Sequence, residues 1–189
     1  MSRDFLFNPK NLHVMIDLET LGTSPDSTIL SIGAVSGSLS TFPAPRKAFY
    51  KVPSIKSQVD STESKETWDW WNKQSPEAQA VLRESQQTQL GICEALLEFK
   101  IWFLGLGLKD NIYVWSNGAD FDLPMISWAF NHYLGTVPPW KYSNTRCFRT
   151  AKAMLPKVGM PKPGVAHNAL DDAMWQMAYL GKVVQTARF

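Results

Sequence analysis

Residues 15–35 read MIDLETLGTSPDSTILSIGAV, and the fold is decided in this stretch. Its first part closes a nearly continuous apolar run, Leu12 to Leu18, into which Asp17 is set; such a run reads as a buried strand. Leu21 to Asp26 contains glycine and proline and turns the chain. Thr28 to Val35 then reads as a second strand, and Arg46 to Val52, after a proline-rich bend, as a third. The short connections favour antiparallel pairing of all three.

Beyond Val52 the character changes. Thr62 to Gln74 and Ser75 to Glu84 have helical composition, and Ser75-Pro76-Glu77 offers a cap, a proline at the first position and an acid. Leu90 to Leu104 repeats apolar residues at helical spacing through Ile92, Leu96, Phe99 and Phe103. Asn111 to Ser116 predicts a short buried strand, Leu123 to Leu134 a helix, Lys141 to Asn144 a strand at an edge or in the centre, and Arg146 to Leu155 a helix. Lys157 to Gly164 holds two glycines and two prolines and reads as a loop, and a last helix runs from near Asn168 to about Gln185. The later strands need helical crossovers, so they should lie parallel to the first. The expectation is an α/β fold: a mixed β-sheet, three antiparallel strands then parallel strands, flanked by helices.

The 189 residues suit one domain, residues 1–189, with a core at about 12–180. Hydrophobic residues at 44% and charged residues at 19% exclude a disordered chain. No apolar run approaches the roughly 20 residues of a membrane helix, and MSRDFLFNPKNLH lacks the pattern of a secretion signal. Cys93 and Cys147 match no metal-ligand spacing and read as reduced thiols. Together these place the chain in the cytosol, away from membranes.

The net charge of +2 conceals an asymmetry. Leu123 to Leu170 holds no Asp or Glu but six basic residues, Lys141, Arg146, Arg149, Lys152, Lys157 and Lys162, while the remainder carries 13 basic and 17 acidic residues. A polyanionic partner is one explanation and an incidentally biased solvated surface is the other.

Asp17 and Glu19 stand two apart at the end of the first strand, so alternation puts both on one face. Neighbouring carboxylates repel as they are desolvated, and a divalent cation with oxygen ligands, Mg²⁺ or Mn²⁺, relieves the repulsion. The plainer alternative is a strand-end pair facing water. Asp122 follows a strand and a glycine-containing turn, at the sheet edge where α/β proteins bind ligands; helix capping is its plainer alternative. His167 precedes the last helix, and Asp171 and Asp172 occupy that helix's first turn, where the dipole alone favours acids. Each element is ambiguous singly, and their joint order points to a site.

The segments MIDLETLGTSPDSTILSIGAV, VWSNGADFDLPMI and AHNALDDA together resemble the DEDDh branch of the DnaQ-like 3′–5′ exonucleases, a superfamily that includes polymerase proofreading subunits, oligoribonuclease and RNase T. The likeness runs from about Leu12 to Tyr179 and is closest to the phage exonuclease A and RNase AS group, of which TWDWWNKQSPEA is a familiar feature. The resemblance implies a ribonuclease-H-like fold in a phage or bacterial cytosol, and it carries five functional positions onto Asp17, Glu19, Asp122, His167 and Asp172. The second motif takes the G-x-x-F-D form, Gly118 to Asp122. Two divalent ions about 4 Å apart are implied, Asp17 shared between them, Glu19 and Asp172 completing one site and Asp122 serving the other. His167 becomes the general base for an attacking water.

For substrate, the resemblance implies 3′ ends of single-stranded DNA or RNA, released as nucleoside 5′-monophosphates. Leu21 and Gly22 match the position that wedges against the terminal base. Trp68 and Trp71, with Trp70 beside them, offer rings on which bases stack at about 1–3 kcal/mol each, or belong in part to the core. Arg146 and Arg149 are candidates to track phosphates. A homodimer is compatible with the resemblance, though no stretch marks an interface. The competing readings are a catalytically inactive nucleic-acid-binding module and a polymerase-associated subunit on the same fold; occupation of all five positions argues for the enzyme.

Overall fold

Leu12–Thr20 forms the first strand, β1, and its alternating side chains divide between two layers of the molecule. Val14, Ile16 and Leu18 enter one apolar cluster, and Met15 enters another on the opposite face. Asp17 and Glu19 share the Met15 face by the same alternation. The computed structural model describes residues 11–39, 47–118, 120–162, 164 and 166–186. The other strands are β2 (Ile29–Gly37), β3 (Lys47–Lys51), β4 (Ile112–Ser116) and β5 (Thr145–Cys147). The sheet order is β3-β2-β1-β4-β5. β1 pairs antiparallel with β2 and β2 with β3, whereas β4 lies parallel to both β1 and β5. This is the mixed sheet expected.

Six α-helices among the described residues flank it: α1 (Lys65–Trp71), α2 (Ala80–Gln87), α3 (Ile92–Leu104), α4 (Asp122–Leu134), α5 (Phe148–Met154) and α6 (Ala169–Thr186). The first cluster joins β1 to α3 and α4 through Phe99, Phe103, Ile126 and Phe130. The second joins β1 and β4 to α6 through Ala173, Met177, Leu180 and Val184. A third, with Leu21, Leu30, Trp71 and Leu82, seats α1 and α2 at the end of β1. No helix among the described residues is long and apolar enough to cross a membrane. Cys93 and Cys147 are both free thiols.

Three local expectations need correction or delimitation. Lys141 to Asn144 is not a strand: Tyr142–Asn144 is a 3-10 turn, and the strand follows at Thr145–Cys147, where the helical reading had already begun. The Asn144 side-chain amide donates to the carbonyls of Asp110 and Ile112, which fixes the turn against the start of β4 and delays the strand. Ser75 does cap a turn, its hydroxyl accepting from the Ala78 amide, but the regular helix begins only at Ala80. Arg46, the expected start of β3, lies outside the described residues.

Candidate active site

Three elements deliver the acids to one place. β1 brings Asp17 and Glu19 to its carboxyl end, the turn after β4 brings Asp122 to the first position of α4, and the first turn of α6 brings Asp172. All four are buried, at 9%, 8%, 2% and 8% exposure, which is rare for acids without compensation. Asp122 Oδ1 accepts the Leu18 amide at 3.0 Å, tying the start of α4 to β1 between the two strand acids. Gln176, one helical turn beyond Asp172, donates from Nε2 to Asp17 Oδ1 at 2.7 Å.

His167 adopts a left-handed backbone with φ of 62°, a conformation histidine enters more readily than most non-glycine residues. The next residue, Asn168, caps α6, its Oδ1 accepting the amides of Leu170 and Asp171 at 3.1 Å each. The bend and the cap aim the imidazole back over the acids. Ligand atoms of Glu19, His167 and Asp172 lie within 4.8 Å of one another.

The electrostatics follow from burial and crowding. Burial first, then the charges of Asp122, Glu19 and Asp172, holds the Asp17 carboxyl well above the usual carboxylate range. Glu19 is pushed up to about 8 by burial, Asp172 and Asp122. Asp122 rises to about 6 through burial, tempered by backbone amides including that of Leu18. Burial lowers His167, against the opposing pull of Asp172, so its ring is neutral near neutral pH.

This donor set fits hard divalent cations: four carboxylates, desolvated and mutually repelling, with one imidazole. A cation already leans into the cluster. Lys162 Nζ stands 2.5 Å from Asp172 Oδ1, an ion pair rather than a well-directed hydrogen bond, and its charge lowers the Glu19 carboxyl.

Beside the acids opens a cavity of about 530 Å³, lined among others by Glu19, Gly22, Thr67, Trp70 and Phe121. Trp70, 41% exposed, meets the His167 ring edge-on at 4.6 Å between centroids. Trp71 turns inward, 1% exposed, its indole donating to the Thr20 carbonyl at 2.9 Å. The sequence reading left Trp68 and Trp71 between stacking rings and core, and for Trp71 the stacking reading requires correction. Trp71 is core, Trp68 is half-buried with its indole bound to Glu63, and Trp70 is the ring that stands at the site. Residues three apart share a helix face, so burying Trp71 draws Trp68 partly in and leaves Trp70 about 100° round the axis.

Leu21 is wholly buried, while Gly22 lines the cavity. Arg149 lies at the entrance to α4, donating to the Asn117 carbonyl at 2.9 Å and exposed to solvent. Arg146 is drawn away, its guanidinium 4.9 Å over the Tyr113 ring, toward a second cavity of about 860 Å³ along β5 that includes none of the four acids. The sequence reading missed Gln176, counted Lys162 only within the basic span, and set Trp70 behind its two neighbours. For Gln176 a signal existed: it sits with Asp172 on the otherwise apolar stripe of α6.

A family model described as the 3′–5′ exoribonuclease Rv2179c-like domain matches residues 12–184. No curated protein matches. Among solved structures, cell-death related nuclease 4 (CRN-4) aligns at a TM-score of 0.60 and 15% identity, covering 95% of this chain and 65% of its own. Exonuclease I of E. coli, in complex with a 5cy-dT13 oligonucleotide, aligns at a TM-score of 0.58 and 14% identity, covering 94% of this chain and 41% of its own. At these identities the two structures establish a shared fold, and the chain spans less than two thirds of either.

Proposed function

The chain belongs to the 3′–5′ exoribonuclease Rv2179c-like domain family, and from that premise we propose that it is a metal-dependent 3′–5′ exonuclease of single-stranded nucleic acid, releasing nucleoside 5′-monophosphates. The observation that carries this reading is the convergence of four buried carboxylates beside the His167 imidazole. The family description supports RNA as the first substrate to test. Kinship with the phage exonuclease A and RNase AS group rests on TWDWWNKQSPEA, the stretch that seats Trp71 under β1 and turns Trp70 to the site.

Asp17, Glu19, Asp122 and Asp172 would hold the cations, two Mg²⁺ or Mn²⁺ ions in this proposal. Bound there, they supply the positive charge that acidifies water and offsets charge on the departing 3′-oxygen. His167, neutral near pH 7 and within reach of Glu19 and Asp172, accepts the proton of the attacking water on an unprotonated ring nitrogen. Trp70 braces that ring from the side and offers its exposed face to an unpaired base. Gly22 brings its backbone to the cavity wall, where a Cβ would collide with the Ser27 hydroxyl.

The experiment is a digest of matched 3′- and 5′-end-labelled RNA and DNA oligonucleotides with Mg²⁺, Mn²⁺ or chelator, run beside Asp17→Ala and His167→Ala. The expected result is a metal-dependent ladder shortening from the 3′ end, absent in Asp17→Ala and slowed about 10²- to 10⁴-fold in His167→Ala. A folded chain that leaves every strand intact under either metal would turn the reading to a nucleic-acid-binding module.

A further inference from the structure

Gln176 is the one glutamine in the buried stripe of α6, 3% exposed and four residues after Asp172 on the same helix face. Its Nε2 donates to Asp17 Oδ1 at 2.7 Å, across 159 residues of chain. Its Oε1 is buried with no hydrogen-bond partner among the described residues. A buried acceptor left without a donor is costly, and a solvent-facing or apolar residue would avoid that cost. The orientation is therefore dictated by Asp17, because the amide turns its NH2 group to the acid and leaves its carbonyl unmet.

A neutral donor suits this place. A lysine or arginine would compete with cations for the same carboxylate, and a second acid would add to the repulsion among four carboxylates. An amide holds one oxygen by hydrogen bonding and leaves the remaining lone pairs of the carboxylate for other partners.

We propose that Gln176 is a positioning residue for cation binding: it fixes the rotamer of Asp17 through Oδ1 and so presents Oδ2 to the ions. One turn of α6 thereby supplies both a ligand, Asp172, and the brace for the ligand on β1. Groups that orient ligands in this way alter metal affinity without touching the metal. The assignment rests on the reading of the four acids as cation ligands.

The test uses the full chain with Gln176→Met, which keeps the side chain's length and removes its donor, beside the unaltered chain and Asp17→Ala. Calorimetric titration with Mn²⁺ alone reads cation affinity in the absence of nucleic acid, and steady-state digestion of a single-stranded oligonucleotide separates kcat from KM. Gln176→Met should bind Mn²⁺ about 10- to 100-fold more weakly, with kcat falling at limiting Mn²⁺ and recovering at high Mn²⁺, and KM for the strand unchanged within about twofold. Gln176→Asn, one methylene too short to reach Asp17, should show the same losses and carries the test if the methionine variant fails to fold. Unaltered Mn²⁺ affinity in a folded variant overturns the role of Gln176 and leaves the acidic site standing. Mn²⁺ binding that Asp17→Ala does not diminish overturns both.

Discussion

The carboxyls of Asp17, Glu19 and Asp122 sit where burial opposes ionisation, and that makes the site a source of instability. Glu19 has its carboxyl raised from 4.5 to about 8 by burial and by Asp172 and Asp122, and Asp122 is raised from 3.8 to about 6 by burial. Between those limits the folded chain retains protons that the unfolded chain has released. Stability contributed by these groups is therefore present at low pH and lost as pH rises toward about 8. In chelator, the melting temperature should fall from about pH 5 to about pH 8, and added Mn²⁺ should raise it most at the alkaline end, where the ligands are ionised. Calorimetric scans at the two pH values, with and without metal, would check this. A flat profile in chelator would mean that the acids are better solvated than their burial indicates. His167 and Asn168 act at the same scale: a left-handed residue followed by a cap, which together turn the loop into α6.

The element that matters most is α6, because it packs on β1 and β2 while carrying Asp172 and Gln176. Its first turn lies directly on Gly33 of β2, the residue paired with Asp17. A Cβ at Gly33 would overlap the carbonyl of Ala169 and the amide of Leu170, both backbone and unable to give. Glycine is needed there for close approach rather than for a turn. Gly33→Ala should cost about 1–3 kcal/mol in urea unfolding, and activity should fall further than the lost stability explains, since the helix carrying Asp172 must shift. Stability equal to that of the unaltered chain would show that the helix has slack. α1 has a comparable duty: Trp71 locks it to the Thr20 carbonyl beside Glu19, and the lock holds Trp70 against His167.

Across the whole molecule, charge is divided between an acidic site and a basic span from Leu123 to Leu170. Of the two arginines named from the sequence, Arg149 stands exposed at the turn that delivers Asp122, whereas Arg146 is engaged with Tyr113. Arg149→Gln should weaken binding of a single strand and make the slope of log affinity against log salt shallower by about one. An unchanged slope, measured by anisotropy over a salt series, would remove Arg149 from the path of the strand.

Much of this was legible along the chain. Asp17 and Glu19 had to share a face because strands alternate, the strand order called for antiparallel and then parallel pairing, and a residue like Asn168 before ALDD marks a helix start. These are properties of short windows, where periodicity and capping chemistry suffice. Which tryptophan of TWDWW is buried, where β5 begins, and that Gln176 reaches Asp17 were settled only by tertiary structure. Each depends on how one face meets another across long stretches of chain, and packing there chooses among faces that local propensity leaves equivalent.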